Sequence, residues 1–201
     1  SQKMVKIIVY SDYICPFCYI GFHRIKKLKK QFNLDVEWRP FELHPEIPKE
    51  GIVVEKLPFS NEYLEMIIAN VKQLAEEAGI TFEFSGKLPN SRLALIISEF
   101  AKEKGKFSEF HELIFEKYWK EGKDIGDLSI LLEFASSIGL DKNEILAYIK
   151  SEEPVNKLKN FTSELGRYGI NGVPTFIIGD RIVVGAQPYE VFEKVINQVS
   201  D

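Results

Sequence analysis

The chain has 201 residues, of which 45% are hydrophobic, so it can bury a substantial core without disulfide or metal staples. Its net charge of −4 gives no reason to expect a nucleic acid among its partners, because nucleic-acid binders need a basic face. No apolar run approaches the roughly 18 residues that suggest a membrane span, so we expect no membrane partner. The first apolar run is too short and too early for a signal-peptide core, which predicts a cytoplasmic protein.

The first sixty residues predict a strand, a helix and a second strand. Residues 5–10 are β-branched and nearly continuous in apolar character, as is typical of a buried strand. Apolar residues at helical spacing predict an amphipathic helix over 16–32. Alternating polar and apolar residues predict a strand over 35–41, closed by a Pro-rich stretch at 40–58. This order is a βαβ unit, whose strands are expected to be parallel.

The next hundred residues predict helices only. Apolar stripes at helical spacing cover six segments, namely 64–78, 93–101, 107–118, 128–135, 141–151 and 154–168. No strand-like segment interrupts them, so we predict an all-helical insertion.

Strand character returns near the end of the chain. Residues 174–178 and 181–184 flank the Gly179-Asp180 turn, which predicts a hairpin. Apolar spacing over 191–199 then predicts a final amphipathic helix.

The order of these elements defines the expected fold. A βαβ unit, then helices, then a ββα unit indicate an α/β fold with a thioredoxin-like sheet that is divided by a large insertion. We predict that residues 1–60 form the first half of this domain and residues 169–201 the second half. Residues 61–168 are expected to form the helical insertion domain.

The chain has two cysteines, Cys15 and Cys18, and they lie where the first strand gives way to the helix. Pro16 is favoured at the first helical position, which places Cys15 at the N-cap, facing free N–H groups and the positive end of the helix dipole. A thiolate is stabilised there, and the thiolate is the reacting species. Cys18, one turn later, can attack a mixed disulfide at Cys15. We therefore predict Cys15 as nucleophile and Cys18 as resolving thiol.

The cysteine pair has two other interpretations, a zinc site and a structural pair. A Cys-x-x-Cys pair can be half of a zinc site, but zinc takes four ligands and the chain has no further cysteine. His23, His44 and His111 are scattered along the chain, so no metal is predicted. A purely structural pair in a loop is the other alternative, and the strand–Cys-Pro-x-Cys–helix context disfavours it.

A second feature supports redox chemistry. Val173-Pro174 opens a strand after the long helical region, and proline is tolerated at the first residue of a strand. In a thioredoxin fold, a cis-proline loop at this position faces the active-site cysteines. A cis bond would turn backbone groups of Val173 toward an incoming extended chain. We therefore predict that Val173 and Pro174 bind substrate.

Four segments, in this order, resemble the FrnE branch of the DsbA-like oxidoreductases. They are Cys15-Pro16-Phe17-Cys18-Tyr19-Ile20-Gly21, Trp38-Arg39-Pro40-Phe41-Glu42-Leu43, Pro89-Asn90-Ser91-Arg92, and Gly172-Val173-Pro174-Thr175-Phe176 with Gly185-Ala186-Gln187-Pro188. The resemblance spans nearly the whole chain. It implies a thioredoxin fold with a helical insertion, disulfide exchange with protein or low-molecular-weight thiols, no cofactor and a cytoplasmic setting.

The chain departs from these relatives at several positions. DsbA carries His where Phe17 stands, and an imidazolium there would favour the thiolate of Cys15. Phe17, which we group with the substrate-binding residues, therefore leaves the direction of electron transfer open. FrnE relatives often carry His where this chain has Leu95. Some members also have an additional C-terminal cysteine pair, which this chain lacks, so no electron relay within the chain is expected.

The same superfamily includes kappa-class glutathione transferases and 2-hydroxychromene-2-carboxylate isomerases, which use glutathione and carry Ser where Cys15 stands. A glutathione-dependent transferase or isomerase is the alternative function, with glutathione as co-substrate. Asn90 and Arg92 would border the substrate groove in either case. An alternative interpretation is equally consistent with the sequence. In it Asn90 is the N-cap of a helix that begins near residue 91, and Arg92 is a surface charge. Asp12, three residues before Cys15, either tunes proton transfer or caps the turn.

Overall fold

The computed structural model describes residues 3–200, so residues 1, 2 and 201 of the first and third predicted ranges lie outside the described part. The strands are β1 (Val5–Ser11), β2 (Leu34–Pro40), β3 (Ile52–Val53), β4 (Lys87–Leu88), β5 (Thr175–Ile178) and β6 (Arg181–Val184). The helices are α1 (Pro16–Gln31), α2 (Asn61–Ala78), α3 (Arg92–Glu103), α4 (Phe107–Trp119), α5 (Leu128–Ser137), α6 (Lys142–Lys150), α7 (Glu153–Arg167) and α8 (Tyr189–Ser200). A 3-10 turn covers Val54–Lys56.

Four strands form one mixed sheet in the order β2-β1-β5-β6. β1 runs parallel to β2, from Val5 opposite Leu34 to Ser11 opposite Pro40, and antiparallel to β5. β6 pairs antiparallel with β5 at the edge. The strands of the predicted N-terminal βαβ unit and of the predicted C-terminal ββα unit therefore share one sheet. The predicted α/β, thioredoxin-like fold class is confirmed.

The sheet is buried on both faces, which explains why β1 is apolar along nearly its whole length. On one face Val9 lies opposite Phe176, whose ring meets Phe192 of α8 edge-on with centroids 4.8 Å apart. On the other face Tyr10 packs against Phe41 and Leu165, the latter from the C-terminal part of α7. A strand that is covered on both faces has a nearly continuous apolar sequence rather than an alternating one.

The chain divides into two compact units, one from the described parts of Ser1–Leu43 and Phe161–Asp201 and the other His44–Asn160. We call them the sheet unit and the helical unit. The core of the helical unit consists of apolar residues from its amphipathic helices, among them Ile97, Phe110, Ile114, Phe115, Leu131, Ala135 and Ile145. Several of its helices begin at a side-chain cap, as where Ser60 accepts from the N–H of Tyr63 at the start of α2.

The helical unit differs from the predicted insertion in two details. Lys87–Leu88 forms β4 and pairs antiparallel with β3, so a two-residue strand interrupts the helices of 61–168. The unit also begins at His44 rather than 61 and ends at Asn160 rather than 168. The β3–β4 ladder joins 52–53 to the helical unit, while α7 runs on past Asn160 and its Leu165 packs in the sheet unit. Within residues 3–200, no helix combines the length and apolar character needed to cross a membrane.

Candidate active site

Cys15 lies at the N-cap of α1, as predicted. Its backbone is extended, with φ −95° and ψ 119°, and Pro16 is the first helical residue. The carbonyl of Cys15 accepts the first helical hydrogen bonds, from the N–H of Cys18 at 3.0 Å and of Tyr19 at 3.2 Å. Cys15 therefore lies at the end of α1 where the first backbone N–H groups have no partner within the helix.

Cys18 lies one turn further into α1 and has no exposed surface, whereas Cys15 keeps 5% of its surface exposed. Both are free thiols. Burial raises the pKa of the Cys18 thiol well above its usual range, and the hydrogen bond with Cys15 and the charge of Cys15 raise it further. The Asp12 N–H, 3.5 Å from Cys18 Sγ, and the Ser11 hydroxyl act in the opposite direction. The two thiols are therefore chemically unequal.

The loop that precedes β5 carries the predicted substrate-binding pair. The Val173–Pro174 peptide bond is cis, as predicted. The Cys15 thiol donates to the carbonyl oxygen of Val173, with 3.7 Å between sulfur and oxygen. The Pro174 carbonyl accepts from the Gly185 N–H at 2.8 Å, which ties the loop to the chain that follows β6. The structure therefore brings together Cys15, Cys18, Val173 and Pro174.

Asp12 connects the cysteine turn to the chain that follows β2. Its carboxylate is fully buried and accepts from the N–H of Leu43 at 2.8 Å and of Ile14 at 3.4 Å. Its carbonyl accepts from the Cys15 N–H at 3.3 Å, and its own N–H donates to Cys18 Sγ. The bond to Ile14 is of the turn-capping kind predicted for this residue. A role in proton transfer stays a prediction.

The remaining predicted residues occupy different places. Phe17 is half-buried in the first turn of α1, between the two cysteines. Asn90 belongs to the helical unit, where its amide donates to the carbonyl of Ile47 at 2.6 Å and accepts from the N–H of Arg92 at 2.9 Å. The N-cap of α3 is Ser91, which makes no side-chain cap, so the predicted N-cap role of Asn90 is wrong. Asn90 lies one residue earlier and accepts from the Arg92 N–H in an Asx-type turn. Substrate contacts of Phe17, Asn90 and Arg92 stay predictions.

The described residues 3–200 contain no cluster of three or more His, Cys, Asp and Glu side chains that could hold a metal ion. His23 instead packs edge-on against Tyr19 and Phe22, at centroid distances of 4.8 and 5.4 Å.

Three neighbours of the site were not predicted from the sequence. They are the Ser11 hydroxyl, the Leu43 N–H and Gly21, whose Cα faces the Pro174 ring. Gly21 carried a readable signal, because a glycine inside an amphipathic helix weakens it and commonly has a packing reason. The other two contacts join segments with no local pattern that would indicate them.

A mixed sheet in the order β2-β1-β5-β6, with a dithiol at the N-terminus of α1, defines a thioredoxin-fold protein. Residues 6–197 match the DSBA-like thioredoxin domain, and the chain belongs to this family. It is 35% identical to the uncharacterized protein YwbO of Bacillus subtilis over 199 residues, which cover 96% of each chain.

Two further relatives represent the two activities that the resemblance suggested. A 2-hydroxychromene-2-carboxylate isomerase of Sphingobium xenophagum is 21% identical over 193 residues, covering 93% of this chain and 95% of the isomerase. The crystal structure of a probable DsbA oxidoreductase from Streptomyces coelicolor superposes with a TM-score of 0.83 at 25% identity, over 96% of this chain and 89% of that one. The relation to both groups is confirmed, whereas membership of the FrnE branch stays a prediction.

Proposed function

We propose that the protein is a thiol–disulfide oxidoreductase that works through Cys15 and Cys18. The observation that carries the proposal is the placement of the Cys15 sulfur at the start of α1 and 3.7 Å from the Val173 carbonyl, with Cys18 buried in the next turn. This arrangement gives one sulfur access to a partner and keeps the second for an internal attack.

In the reducing direction, the Cys15 thiolate attacks one sulfur of a substrate disulfide. A Cys15–substrate disulfide forms, the substrate disulfide breaks, and the first substrate sulfur leaves as a thiolate that takes up a proton. Cys18 then loses its proton and attacks Cys15 Sγ, which releases the second substrate thiol. Two electrons pass to the substrate, and a Cys15–Cys18 disulfide remains. Oxidation of a substrate dithiol is the reverse sequence.

The unequal environments of the two thiols set this order. Cys18 stays protonated as long as Cys15 is not in a disulfide, because its pKa is raised. The largest cause is desolvation by burial, and the next is the neighbouring Cys15. Once Cys15 is part of a mixed disulfide it carries no charge, so its contribution to that pKa disappears. The Asp12 N–H, which points at Cys18 Sγ, then favours the Cys18 thiolate at the step that needs it.

The proposed substrates are protein or low-molecular-weight thiols and disulfides. An extended polypeptide can align with the backbone of Val173 while its sulfur meets Cys15. The exchange needs no cofactor, because the electrons come from the thiols themselves. We place the activity in the cytoplasm, as the sequence predicts.

Cys15→Ser tests the proposal. We expect it to lower the rate of insulin reduction by about a hundredfold or more, because the nucleophile is lost. Cys18→Ser is the matched variant, since it keeps Cys15 and removes only the resolving thiol; it should accumulate a mixed disulfide visible by mass spectrometry. Insulin reduction by Cys15→Ser at the wild-type rate would contradict the proposal.

The direction of transfer follows from the reduction potential of the Cys15–Cys18 pair. A titration against glutathione that gives about −270 mV indicates a reductant, and about −120 mV indicates an oxidant. A shift of roughly 30 mV changes the equilibrium constant tenfold.

The glutathione-dependent transferase or isomerase is the second candidate. The observation that favours it is the similarity to 2-hydroxychromene-2-carboxylate isomerase along nearly the whole chain. It requires saturable glutathione binding and turnover of a non-disulfide substrate that survives Cys15→Ser, because the resemblance implies Ser at this position in glutathione-dependent members. Such turnover, together with an absence of disulfide exchange, would replace the first proposal by the second.

A further inference from the structure

Gly21 is a buried glycine inside α1, one turn beyond Cys18. Glycine within a helix is less favourable than alanine, because it loses more backbone freedom on folding. Its backbone has ordinary helical dihedral angles, since positive φ occurs elsewhere, so conformation does not require glycine here. The requirement must come from what lies against it.

A side chain at Gly21 would meet two neighbours. A Cβ atom there would lie 3.0 Å from Cζ of Phe176 and 3.2 and 3.4 Å from Cγ and Cβ of Pro174. Carbon atoms in contact normally sit about 3.5 to 4.0 Å apart, so one neighbour has to move before any side chain fits.

Both neighbours are held in place. Phe176 is fully buried, pairs with Val9 across the sheet and packs against Phe192. The Pro174 carbonyl is bonded to the Gly185 N–H at 2.8 Å. A displaced Pro174 ring carries the adjoining Val173 carbonyl with it, and that carbonyl lies 3.7 Å from Cys15 Sγ.

We propose that Gly21 is a positioning residue that sets the distance between the reacting sulfur and the Val173 backbone. Its missing side chain lets the Pro174 ring lie directly on the helix that carries both thiols. The inference rests on the proposed function and deepens it, since it assigns a determinant of selectivity for polypeptide over small disulfides. A polypeptide disulfide needs both Cys15 and the Val173 backbone in register, whereas a small disulfide needs only the sulfur.

The chain offers a matched control. Gly166 also lies within a helix, α7, but is exposed, and nothing lies within 4 Å of a Cβ atom built on it. Gly166→Ala therefore makes the same chemical change, with the same direction of helix propensity, without touching the Pro174 loop.

The experiment measures single-turnover oxidation of the reduced protein by insulin and by hydroxyethyl disulfide. We expect Gly21→Ala to lower the rate constant with insulin by about tenfold or more, because small misplacements of reacting groups have large kinetic effects. The rate with hydroxyethyl disulfide should stay close to wild type. Gly166→Ala should change neither rate.

A second variant keeps the test informative if Gly21→Ala does not fold. Gly21→Ala combined with Phe176→Leu removes the ring atom that comes closest, while the contact with Pro174 remains. It should fold and show the same selective loss with insulin, and Phe176→Leu alone should not.

An equal fall with both disulfides, or an unchanged ratio of the two rates, overturns the inference and leaves Gly21 as a packing residue. Failure of the proposed function is distinguishable, because Cys15→Ser would then keep the wild-type rate with both disulfides. Loss of both rates in Cys15→Ser, with an unchanged ratio in Gly21→Ala, overturns the inference alone.

Discussion

A buried set of side chains in the sheet unit can be compared with an exposed set in the helical unit. In the sheet unit, groups that carry chemistry are fully buried, namely Asp12, Tyr10 and Cys18. In the helical unit, large apolar side chains between residues 53 and 84 stay 40% to 61% exposed, namely Val53, Phe59, Tyr63, Met66, Ile68 and Phe84. Substitutions in the first set should change stability and chemistry together, whereas those in the second set should change neither.

Asp12→Ala should have the largest effect. It leaves the N–H groups of Leu43 and Ile14 without their acceptor, and each unpaired buried donor costs about 1 to 3 kcal/mol. We expect the free energy of unfolding, measured in urea, to fall by about 2 to 4 kcal/mol. Resolution of the mixed disulfide should also slow, because the Asp12 N–H that points at Cys18 is no longer held in place.

Asp12→Asn provides the control for this prediction, because its amide keeps one acceptor oxygen and about the same volume. It should fall between wild type and Asp12→Ala in both measurements. An Asp12→Ala protein with wild-type stability would show that burial in the sheet unit carries no such cost and would break the comparison.

Tyr10 should have the next largest effect, and one that depends on pH. Its hydroxyl donates to Glu164 and accepts from Arg39 at 3.0 Å. Burial, then the hydrogen bond to Glu164, raises the pKa of Tyr10 from 10.0 to about 12 against the opposing effect of Arg39. Because the folded-state value lies above the unfolded one, the contribution of Tyr10 is complete below pH 10 and is lost as the pH rises through 12.

Tyr10→Phe should therefore cost about 1 to 2 kcal/mol at neutral pH. Its unfolding free energy should converge on that of wild type between pH 10 and 12. The matched variant in the helical unit is Tyr148→Phe, since the pKa of Tyr148 is also raised to about 12, by burial and then by Glu103 and other carboxylates. Added salt should reduce the pKa shift of Tyr148, which comes partly from carboxylate charges, more than that of Tyr10, which comes partly from a hydrogen bond. If the unfolding free energies of wild type and Tyr10→Phe stay the same distance apart between pH 10 and 12, the raised pKa of Tyr10 is refuted.

The sequence predicted those parts of the molecule that local pattern controls. The spacing of apolar residues located β1, α1 and the six central segments, because that spacing follows from the burial of one side of each element. Pro16 placed Cys15 at the N-cap because the rule concerns adjacent residues. The cis Val173–Pro174 bond was predicted only through the expected fold.

Contacts between residues that are far apart in the chain produce no local pattern in the sequence, so they were not predicted. The bond from Leu43 to Asp12 and the packing of Gly21 on Pro174 join segments far apart in the sequence. The two-residue β3–β4 ladder is too short to alternate. The apolar stripe of α2 predicted its helix correctly, but not that Ala75 is its one buried residue among those described.

Met66 should have the smallest effect and gives the comparison its sharpest test. It is 61% exposed on α2, so Met66→Gln removes little buried apolar area. We expect a change in unfolding free energy of less than about 0.5 kcal/mol and an unchanged rate with hydroxyethyl disulfide. Ile97→Ala, at a fully buried position of the same unit, should cost about 2 to 5 kcal/mol and shows that the measurement resolves a real loss. A cost above about 1 kcal/mol at Met66, or a shift in sedimentation, would mean that α2 is covered in solution and that exposure does not separate the two sets of side chains.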